Sequence, residues 1–274
     1  MRRLKKLFEK KRERILNVYC TAGYPQLHST IDVMKALQNA GADIIELGIP
    51  YSDPLADGPV IQASSAKALQ NGMTITILFE QLKDLRKSPS AGRDGDLRIP
   101  VILMGYLNPL LQYGFENFCA KASEAGIDGL IIPDLPIYEF ENEYKKIVEK
   151  YRLDFIFLVT PETSEERIRK LDTLSSGFLY AVSSSSLTGS DKDFSQAEIY
   201  LQRLQRMKLK NRVLVGFGIK DKESFESVCR YANGAIIGSA YIKALENTNN
   251  IEEATKKFVR SIIKSPSPAG EGLG

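Results

Sequence analysis

Two acidic side chains lie on and just after a predicted β-strand, where they are well placed to move protons. Glu46 is flanked by apolar residues in Asp43–Ile49, where a charged side chain is costly unless it is paired, protonated or in use. Strand alternation puts Glu46 on the same face as Ile44 and Gly48, and we expect that face to point inward. Burial should raise the pKa of Glu46, so that it both takes and gives a proton near neutral pH. A purely structural carboxylate, satisfied by backbone donors, is the alternative.

The loop after this strand carries Asp53 and Asp57 within the segment SDPLADGP. Its two prolines and its glycine favour a defined, non-helical backbone, so the loop can hold an acid over a pocket. An aspartate beside a glycine is also a common turn residue, and that interpretation stays open. Because no further His, Cys or acid is placed to complete a ligand set, we expect no metal site.

The elements that must position these acids follow a repeated pattern of short β-branched runs and amphipathic helical stretches. Eight such units predict an α/β fold, a (β/α)8 TIM barrel with an extra N-terminal helix. An open dinucleotide-binding sheet is disfavoured because no GxGxxG follows the first strand. The predicted strands are Asn17–Thr21, Asp43–Ile49, Pro100–Tyr106, Gly129–Leu135, Asp154–Thr160, Phe178–Ser183, Val213–Gly218 and Ala235–Ser239.

Length and composition restrict the class of protein. With 274 residues, the chain fits one barrel domain, which we assign to residues 1–264, and the polar tail 265–274 is predicted to be disordered. The net charge is only +3, and we interpret the basic N-terminal stretch as a solvated helix face rather than a nucleic-acid surface. No apolar run approaches the roughly 18 residues of a membrane span. We therefore expect a cytoplasmic protein that binds neither nucleic acid nor membrane.

The few cysteines and the single histidine exclude other chemistries. Cys20, Cys119 and Cys229 form no CxxC pair, so a disulfide framework is not expected and a reducing compartment fits best. His28 is the only histidine, which argues against Ser-His-Asp catalysis and multi-histidine metal sites. We interpret His28 as a surface residue at a helix start.

Glycine-rich turns follow three of the predicted strands, and their backbone N–H groups could cradle a dianion. They are Gly216-Phe217-Gly218, Gly238-Ser239 and Thr188-Gly189. In barrels of this kind, the loops after strands 7 and 8 commonly bind phosphate. A single such glycine could serve a turn alone, but three together predict a phosphorylated ligand.

Carbon–carbon cleavage leaves an electron pair behind, and enzymes commonly absorb it with a lysine Schiff base or a metal. No predicted strand core contains a lysine, so a cleavage reaction would need a substrate that is its own electron sink. An indole ring protonated at carbon 3 meets that requirement. Aromatic residues at strand ends could form its apolar pocket, namely Tyr19, Tyr106, Tyr180 and Phe217.

The segment ELGIPYSDPLADGPVIQ, residues 46–62, resembles the signature of the tryptophan synthase alpha subunit family. Further matches run along the whole chain except its tail. They are TAGYP at 21–25, MGYLNP at 104–109, IIPDLP at 131–136, GFGI at 216–219 and IIGSA at 236–240.

This resemblance implies a lyase of tryptophan biosynthesis that cleaves indole-3-glycerol phosphate to indole and glyceraldehyde 3-phosphate. It implies that Glu46 moves protons at the glycerol hydroxyl and at indole carbon 3, and that Asp57 stabilises positive charge at the indole N–H. Tyr180 would position the substrate. The implied indole pocket is Tyr19, Ile61, Tyr106, Phe217 and Ile236, and the implied phosphate site is Gly189, Gly218, Gly238 and Ser239.

The resemblance also implies a partner, the beta subunit, in an alpha2beta2 tetramer. Pyridoxal phosphate would belong to that subunit, and this chain would hold no cofactor. Residues Pro50–Asp53 and Asn108 are the implied partner contacts, and Tyr180–Ser195 resembles a mobile lid. Ser186 stands where family members commonly have glycine two residues before a Thr-Gly pair, so the backbone shape of the lid is in question.

Two other functions stay open at this point. Another phosphosugar barrel enzyme, an isomerase or epimerase, would share the phosphate turns but should have acids facing each other from different strands. Asp134 is the main opposing candidate. A non-catalytic subunit that activates a partner would tolerate the loss of Glu46 or Asp57, and both acids are present.

Overall fold

The computed structural model describes residues 2–86, 97–182, 191–216, 218–246 and 248–263, and in it a parallel β-barrel is surrounded by helices. The nine strand segments of these residues are β1 (Ile15–Thr21), β2 (Ile44–Gly48), β3 (Val101–Met104), β4 (Gly129–Ile131), β5 (Asp154–Ile156), β6 (Leu158–Val159), β7 (Phe178–Val182), β8 (Arg212–Gly216) and β9 (Gly234–Ile237). All of their pairings are parallel.

The ring of strands is joined through the predicted fifth strand, Asp154–Thr160, which is divided at Phe157. The sheet order is β5-β4-β3-β2-β1-β9-β8-β7-β6, so its two ends are consecutive pieces of the chain. The Phe157 N–H donates to Oγ of Ser175 at 3.1 Å, and its carbonyl accepts from the N–H of Tyr180 at 3.0 Å. The predicted eight-stranded barrel is therefore confirmed, with one strand in two segments because a hydroxyl replaces a ladder hydrogen bond.

The helices of the described residues cover the outside of the barrel and one of its ends. They are α1 (Arg3–Lys10), α2 (Thr30–Ala40), α3 (Pro59–Gln70), α4 (Ile75–Leu82), α5 (Leu107–Tyr113), α6 (Phe115–Glu124), α7 (Ile137–Glu139), α8 (Lys145–Lys150), α9 (Glu165–Leu174), α10 (Asp191–Arg206), α11 (Lys222–Cys229), α12 (Ser239–Leu245) and α13 (Ile251–Ile263). A 3-10 turn, Leu27–Ser29, precedes α2, and a π-helical turn, Phe140–Tyr144, joins α7 to α8.

Helix ends follow local signals in the sequence. α3 begins with Pro59 directly after Gly58, and proline suits this first position because its missing N–H would have no helical partner. Asp221 and Ser224 form a capping box at the start of α11. α2 ends at Gly41, whose φ of 104° is readily adopted only by glycine. Local residues therefore set these three helix boundaries.

Strands buried on both faces divide the core into two layers. Along β1, Leu16, Val18 and Cys20 pack outward against the helices, whereas Ile15 and Tyr19 belong to a separate cluster inside the barrel. That inner cluster also contains Ile44 of β2, as the alternation around Glu46 predicts. The barrel is therefore filled by side chains, and a ligand can bind only at one of its ends.

The basic N-terminal segment closes the end of the barrel at which the strands begin. Leu4 and Phe8 of α1 are buried in the inner cluster, and the Phe8 ring meets the Phe178 ring edge-on at 6.4 Å. The flanking cations pair with acids at strand starts, Arg2 with Asp154, Arg3 with Asp128 and Lys11 with Asp43. The extra N-terminal helix is thus confirmed. Its charge is partly neutralised within the barrel floor rather than only by solvent.

The expectation that His28 is a surface residue at a helix start is confirmed. All three cysteines lie in the described residues as free thiols, and His28 is exposed in the 3-10 turn before α2. Within the described ranges, no helix is long and apolar enough to cross a membrane, and no group of three or more His, Cys, Asp or Glu could hold a metal ion. The predicted tail, 265–274, lies outside the described residues.

Candidate active site

Glu46 lies inside the barrel on β2 and is 1% exposed. Asn17 of β1 donates a hydrogen bond from Nδ2 to Oε2 of Glu46 at 3.0 Å. Burial raises the pKa of Glu46 to about 8, the Asn17 hydrogen bond opposes that rise, and the charge of Asp57 adds to it. The predicted direction of the shift is confirmed, and near neutral pH this carboxyl can either give or take a proton.

Asp57 is held in the loop after β2 by the backbone and by one tyrosine. Its own N–H donates to the carbonyl of Pro54 at 3.0 Å, which forms a turn. The Tyr106 hydroxyl donates to Oδ2 of Asp57 at 3.1 Å and accepts from the N–H of Ala56 at 3.0 Å. Tyr106 therefore fixes both the side chain and the neighbouring backbone, and the loop is ordered as its prolines predict.

The pKa of Asp57 is raised to about 6 by burial, and the hydrogen bond from Tyr106 opposes the rise. Asp57 is consequently ionised at neutral pH, whereas Glu46 is largely protonated. Two acids whose environments separate their pKa values can take different roles, one as a fixed negative charge and one as a proton donor.

Tyr19 stands beside Glu46, because the two residues are register partners on β1 and β2. A Cβ at Gly48 would lie 2.0 Å from the Tyr19 hydroxyl, so this tyrosine fits only because residue 48 has no side chain. The Tyr19 pKa is raised by burial and by the charges of Asp57 and Glu46. Its hydroxyl therefore stays protonated, and it accepts from the Thr21 hydroxyl at 3.5 Å.

Apolar residues from other strands meet Tyr19 in the inner cluster. Ile61, Tyr180 and Ile236 belong to it, and all three are buried. A Cβ at Gly238 would be 3.4 Å from Cβ of Tyr19 and 3.5 Å from Cδ1 of Ile61, so these residues converge at the end of β9. The structure thus brings together four predicted pocket residues from β1, α3, β7 and β9.

Two glycines and a serine of the predicted phosphate site lie at neighbouring strand ends. Gly218 follows β8 with a φ of 74°, and Gly238 and Ser239 join β9 to α12. Because β8 and β9 are paired in parallel, both turns are at the same edge of the barrel. Gly189 and Phe217 of the predicted site lie outside the described residues, as do residues 183–190 of the predicted lid, which include Ser186.

The predicted partner contacts are near the same edge. Ser52, Asp53 and Asn108 are exposed, and Nδ2 of Asn108 lies 3.5 Å from the Tyr51 hydroxyl, whereas Pro50 is buried. Leu55, in the same loop as Asp57, is 92% exposed.

Asp134 lies outside the inner cluster of the barrel. It is exposed, and its carboxylate accepts the N–H of Leu107 at 2.9 and 3.1 Å, which satisfies a backbone donor at the start of α5. A side chain in that position stabilises a helix end. The facing pair of acids that an isomerase or epimerase requires is not built by Asp134 and Glu46.

Asn17 is the site residue that the sequence reasoning missed. Its amide is fully buried among apolar neighbours and contacts Glu46. One signal was available, a polar residue two positions before Tyr19 in an otherwise apolar strand, hence on the same inward face.

Comparisons with known proteins agree on one family. The family model described as "Tryptophan synthase alpha chain" matches residues 4–265. The chain is 53% identical to the tryptophan synthase alpha chain of Flavobacterium johnsoniae over 87% of this chain and 91% of that one. It is 48% identical to the alpha chain of Parabacteroides distasonis over 96% and 99%. Among solved structures, the alpha subunit from Legionella pneumophila superposes with a TM-score of 0.82 at 37% identity, covering 96% and 97%.

Proposed function

This chain belongs to the tryptophan synthase alpha chain family, and from that premise we propose that it is a carbon–carbon lyase acting on indole-3-glycerol phosphate. The products are indole and glyceraldehyde 3-phosphate, in the biosynthesis of tryptophan. One observation supports the assignment of the reaction to particular residues. Two acids with different pKa values, Glu46 and Asp57, lie near a strand end that is lined by apolar and aromatic side chains.

The first step is protonation of the indole ring. Glu46, largely protonated at neutral pH, gives its proton to carbon 3, and the ring nitrogen becomes positively charged. Asp57, ionised and fixed by Tyr106, accepts the indole N–H and stabilises that charge. None of the nine described strands contains a lysine that could form a Schiff base. The protonated ring therefore serves as the electron sink for the cleavage.

The second step is cleavage. Glu46, now a carboxylate, takes the proton of the hydroxyl on the carbon attached to the ring. The bond between that carbon and indole carbon 3 breaks, its electron pair returns to the ring, and the hydroxyl carbon becomes the aldehyde of glyceraldehyde 3-phosphate. Glu46 ends protonated, as it began, so one carboxyl serves both transfers.

The substrate is held at its two ends. The indole lies against Tyr19, Ile61, Tyr106, Phe217 and Ile236, with Tyr180 positioning the reacting carbon, and apolar burial of the ring favours binding. The phosphate is bound by Gly189, Gly218, Gly238 and Ser239. Of these, Gly218 has the positive φ that lets backbone N–H groups converge on an anion.

The partner is a beta subunit, in an alpha2beta2 tetramer, with pyridoxal phosphate as that subunit's cofactor. Ser52, Asp53, Leu55 and Asn108 are exposed, so they are accessible to a partner at the open end of the barrel. Analytical ultracentrifugation with a beta subunit should give the mass of four chains. A complex of another mass contradicts the stoichiometry alone.

The decisive experiment measures glyceraldehyde 3-phosphate formation from indole-3-glycerol phosphate, with and without a beta subunit. We expect wild-type activity that rises with the partner, loss of activity in Glu46→Gln and Asp57→Asn, and near wild-type activity in Asp134→Asn. No wild-type activity with intact partner binding would favour a non-catalytic subunit. If the wild-type chain shows neither lyase activity nor partner binding, and Asp134→Asn alters a phosphosugar isomerisation, the isomerase or epimerase is favoured.

A further inference from the structure

Asn17 places an amide among the apolar side chains inside the barrel, next to Glu46. It is 0% exposed, and its register partners on the two neighbouring strands are Ile44 and Ile236, both buried. A buried amide among apolar side chains is unfavourable unless its polar atoms are hydrogen-bonded. The contact with Glu46 is therefore the reason to expect a role for this residue.

The two polar atoms of the Asn17 amide are used unequally. Nδ2 donates to Oε2 of Glu46 at 3.0 Å. Oδ1 is buried and has no hydrogen-bond partner among the described residues. An unused buried acceptor is destabilising, and the penalty ends when a neighbouring group supplies a proton. Glu46 is such a neighbour whenever it is protonated.

We propose that Asn17 is a positioning residue that holds Glu46 in both of its protonation states, with Nδ2 donating to the carboxylate and Oδ1 accepting from the protonated acid. An amide offers one donor and one acceptor side by side, which complements the carbonyl and hydroxyl of a carboxylic acid. The inference rests on the proposed function, in which Glu46 gives a proton and then takes one. The Nδ2 bond to Oε2 keeps the carboxyl in one orientation through both transfers, and the acid proton leaves Oδ1 when indole carbon 3 accepts it.

The test follows the titration of Glu46 itself and needs no substrate. Infrared spectroscopy records the C=O band of the protonated carboxyl, identified as the band that is absent in Glu46→Gln. Other titratable groups that interact electrostatically with Glu46 are Tyr19, Cys20, Asp57 and Tyr180, and changes at Asn17 leave them in place.

Two substitutions of similar size test the contact with Glu46 and its effect on catalysis. Asn17→Asp replaces the donor by a second carboxyl, so the pair shares one proton and the midpoint of the Glu46 band should move to higher pH by about one unit or more. Asn17→Leu removes donor and acceptor together. We expect it to lower kcat about tenfold to a hundredfold, with KM within about twofold, because Glu46 loses its orientation.

The matched control is Ile44→Val, which trims the register partner of Asn17 on β2 without changing a polar group. It should lower the melting temperature while leaving the Glu46 band and kcat unchanged. If a variant of Asn17 does not fold, a measurement on the wild-type chain still tests the positioning role. The side-chain 15N signal of Asn17 should titrate with Glu46 and lose that titration in Glu46→Gln.

The outcomes separate this inference from the proposed function. A Glu46 band that responds to Asn17, in a chain without lyase activity, supports the positioning role and refutes the function. The positioning role alone is overturned if the chain has lyase activity but three readouts fail. These are a Glu46 band and a kcat that do not change in the Asn17 variants, and an Asn17 signal that does not titrate with Glu46.

Discussion

Gly216 and Tyr180 are in such close contact that a Cβ built on Gly216 would lie 2.3 Å from the Tyr180 hydroxyl oxygen. The same relationship joins Gly48 to Tyr19, at 2.0 Å. Both glycines are the last residues of their strands, β8 and β2. Each tyrosine hydroxyl therefore occupies space that only a missing side chain provides.

Adding a methyl group at either glycine should displace the tyrosine. We expect Gly216→Ala and Gly48→Ala to lower kcat/KM about tenfold or more, because a shift of about 1 Å in a positioning group is expensive in rate. Gly58→Ala is the control, since a Cβ there meets nothing within 4 Å and its φ is −73°. Wild-type kcat/KM in folded Gly216→Ala would show that the position of Tyr180 is unimportant to the reaction.

The inward position of Glu46 was predictable because strand alternation is local. Its neighbours at 44 and 48 share its face whatever the rest of the chain does. The direction of the Glu46 pKa shift was predictable from burial, and the (β/α)8 order was predictable from the spacing of apolar runs.

Contacts between distant parts of the chain were not predictable. The break at Phe157 depends on the hydroxyl of Ser175, which lies on the connection before β7. The hydrogen bond between Asn17 and Glu46 depends on the register of β1 on β2, which no local pattern specifies. The pairing of Arg3 with Asp128 likewise joins residues 125 positions apart.

Glu46→Gln should stabilise the chain while abolishing its activity. The pKa of Glu46 is about 8 in the folded chain against an ordinary 4.5, so between these values the folded state holds a proton that the unfolded state has released. Stability therefore falls as pH rises through this window, and the glutamine variant has no such loss.

We expect the stability advantage of Glu46→Gln to grow from about pH 5 to about pH 8 and then level off, at roughly a few kcal/mol. Urea unfolding across this range measures it. Glu124→Gln, which changes an exposed carboxylate, should have little effect at any pH. An advantage that is constant with pH would mean that Glu46 does not titrate in this window.

Tyr106→Phe should move the acid side of the pH profile. The Tyr106 hydroxyl donates to Asp57 and lowers the pKa of that carboxyl, which burial has raised to about 6. Without the hydroxyl, the pKa of Asp57 rises further, so its negative charge is lost at a higher pH. The acid limb of kcat/KM should shift upward by a fraction of a pH unit to about one unit.

The control for this change is Tyr113→Phe, a tyrosine that packs on Phe79 and Phe118 in the outer core. Its acid limb should stay in place. Unshifted profiles for both variants would indicate that another group sets the acid limb, and Asp57 would lose its assignment as the required anion.

Asp128→Ala should lower stability without changing catalysis. The Asp128 carboxylate is buried at the barrel floor, where it pairs with Arg3 and Arg86 at 3.1 Å each and accepts the N–H of Val101 at 2.9 Å. Removing it leaves Arg86 and a backbone donor without this partner. The loss should be about 3 kcal/mol, because breaking a buried pair leaves an uncompensated charge.

The surface pair of Lys121 and Glu124 provides the comparison, since Glu124→Ala removes an exposed partner at 2.9 Å and should have little effect on stability. Denaturant unfolding gives both values, and kcat/KM is measured where each variant is folded. Asp128 lies at the starts of the strands and Glu46 faces their other end, so kcat/KM should match wild type in both variants. A reduced kcat/KM in folded Asp128→Ala would mean that the floor helps to set the geometry of the acids above it.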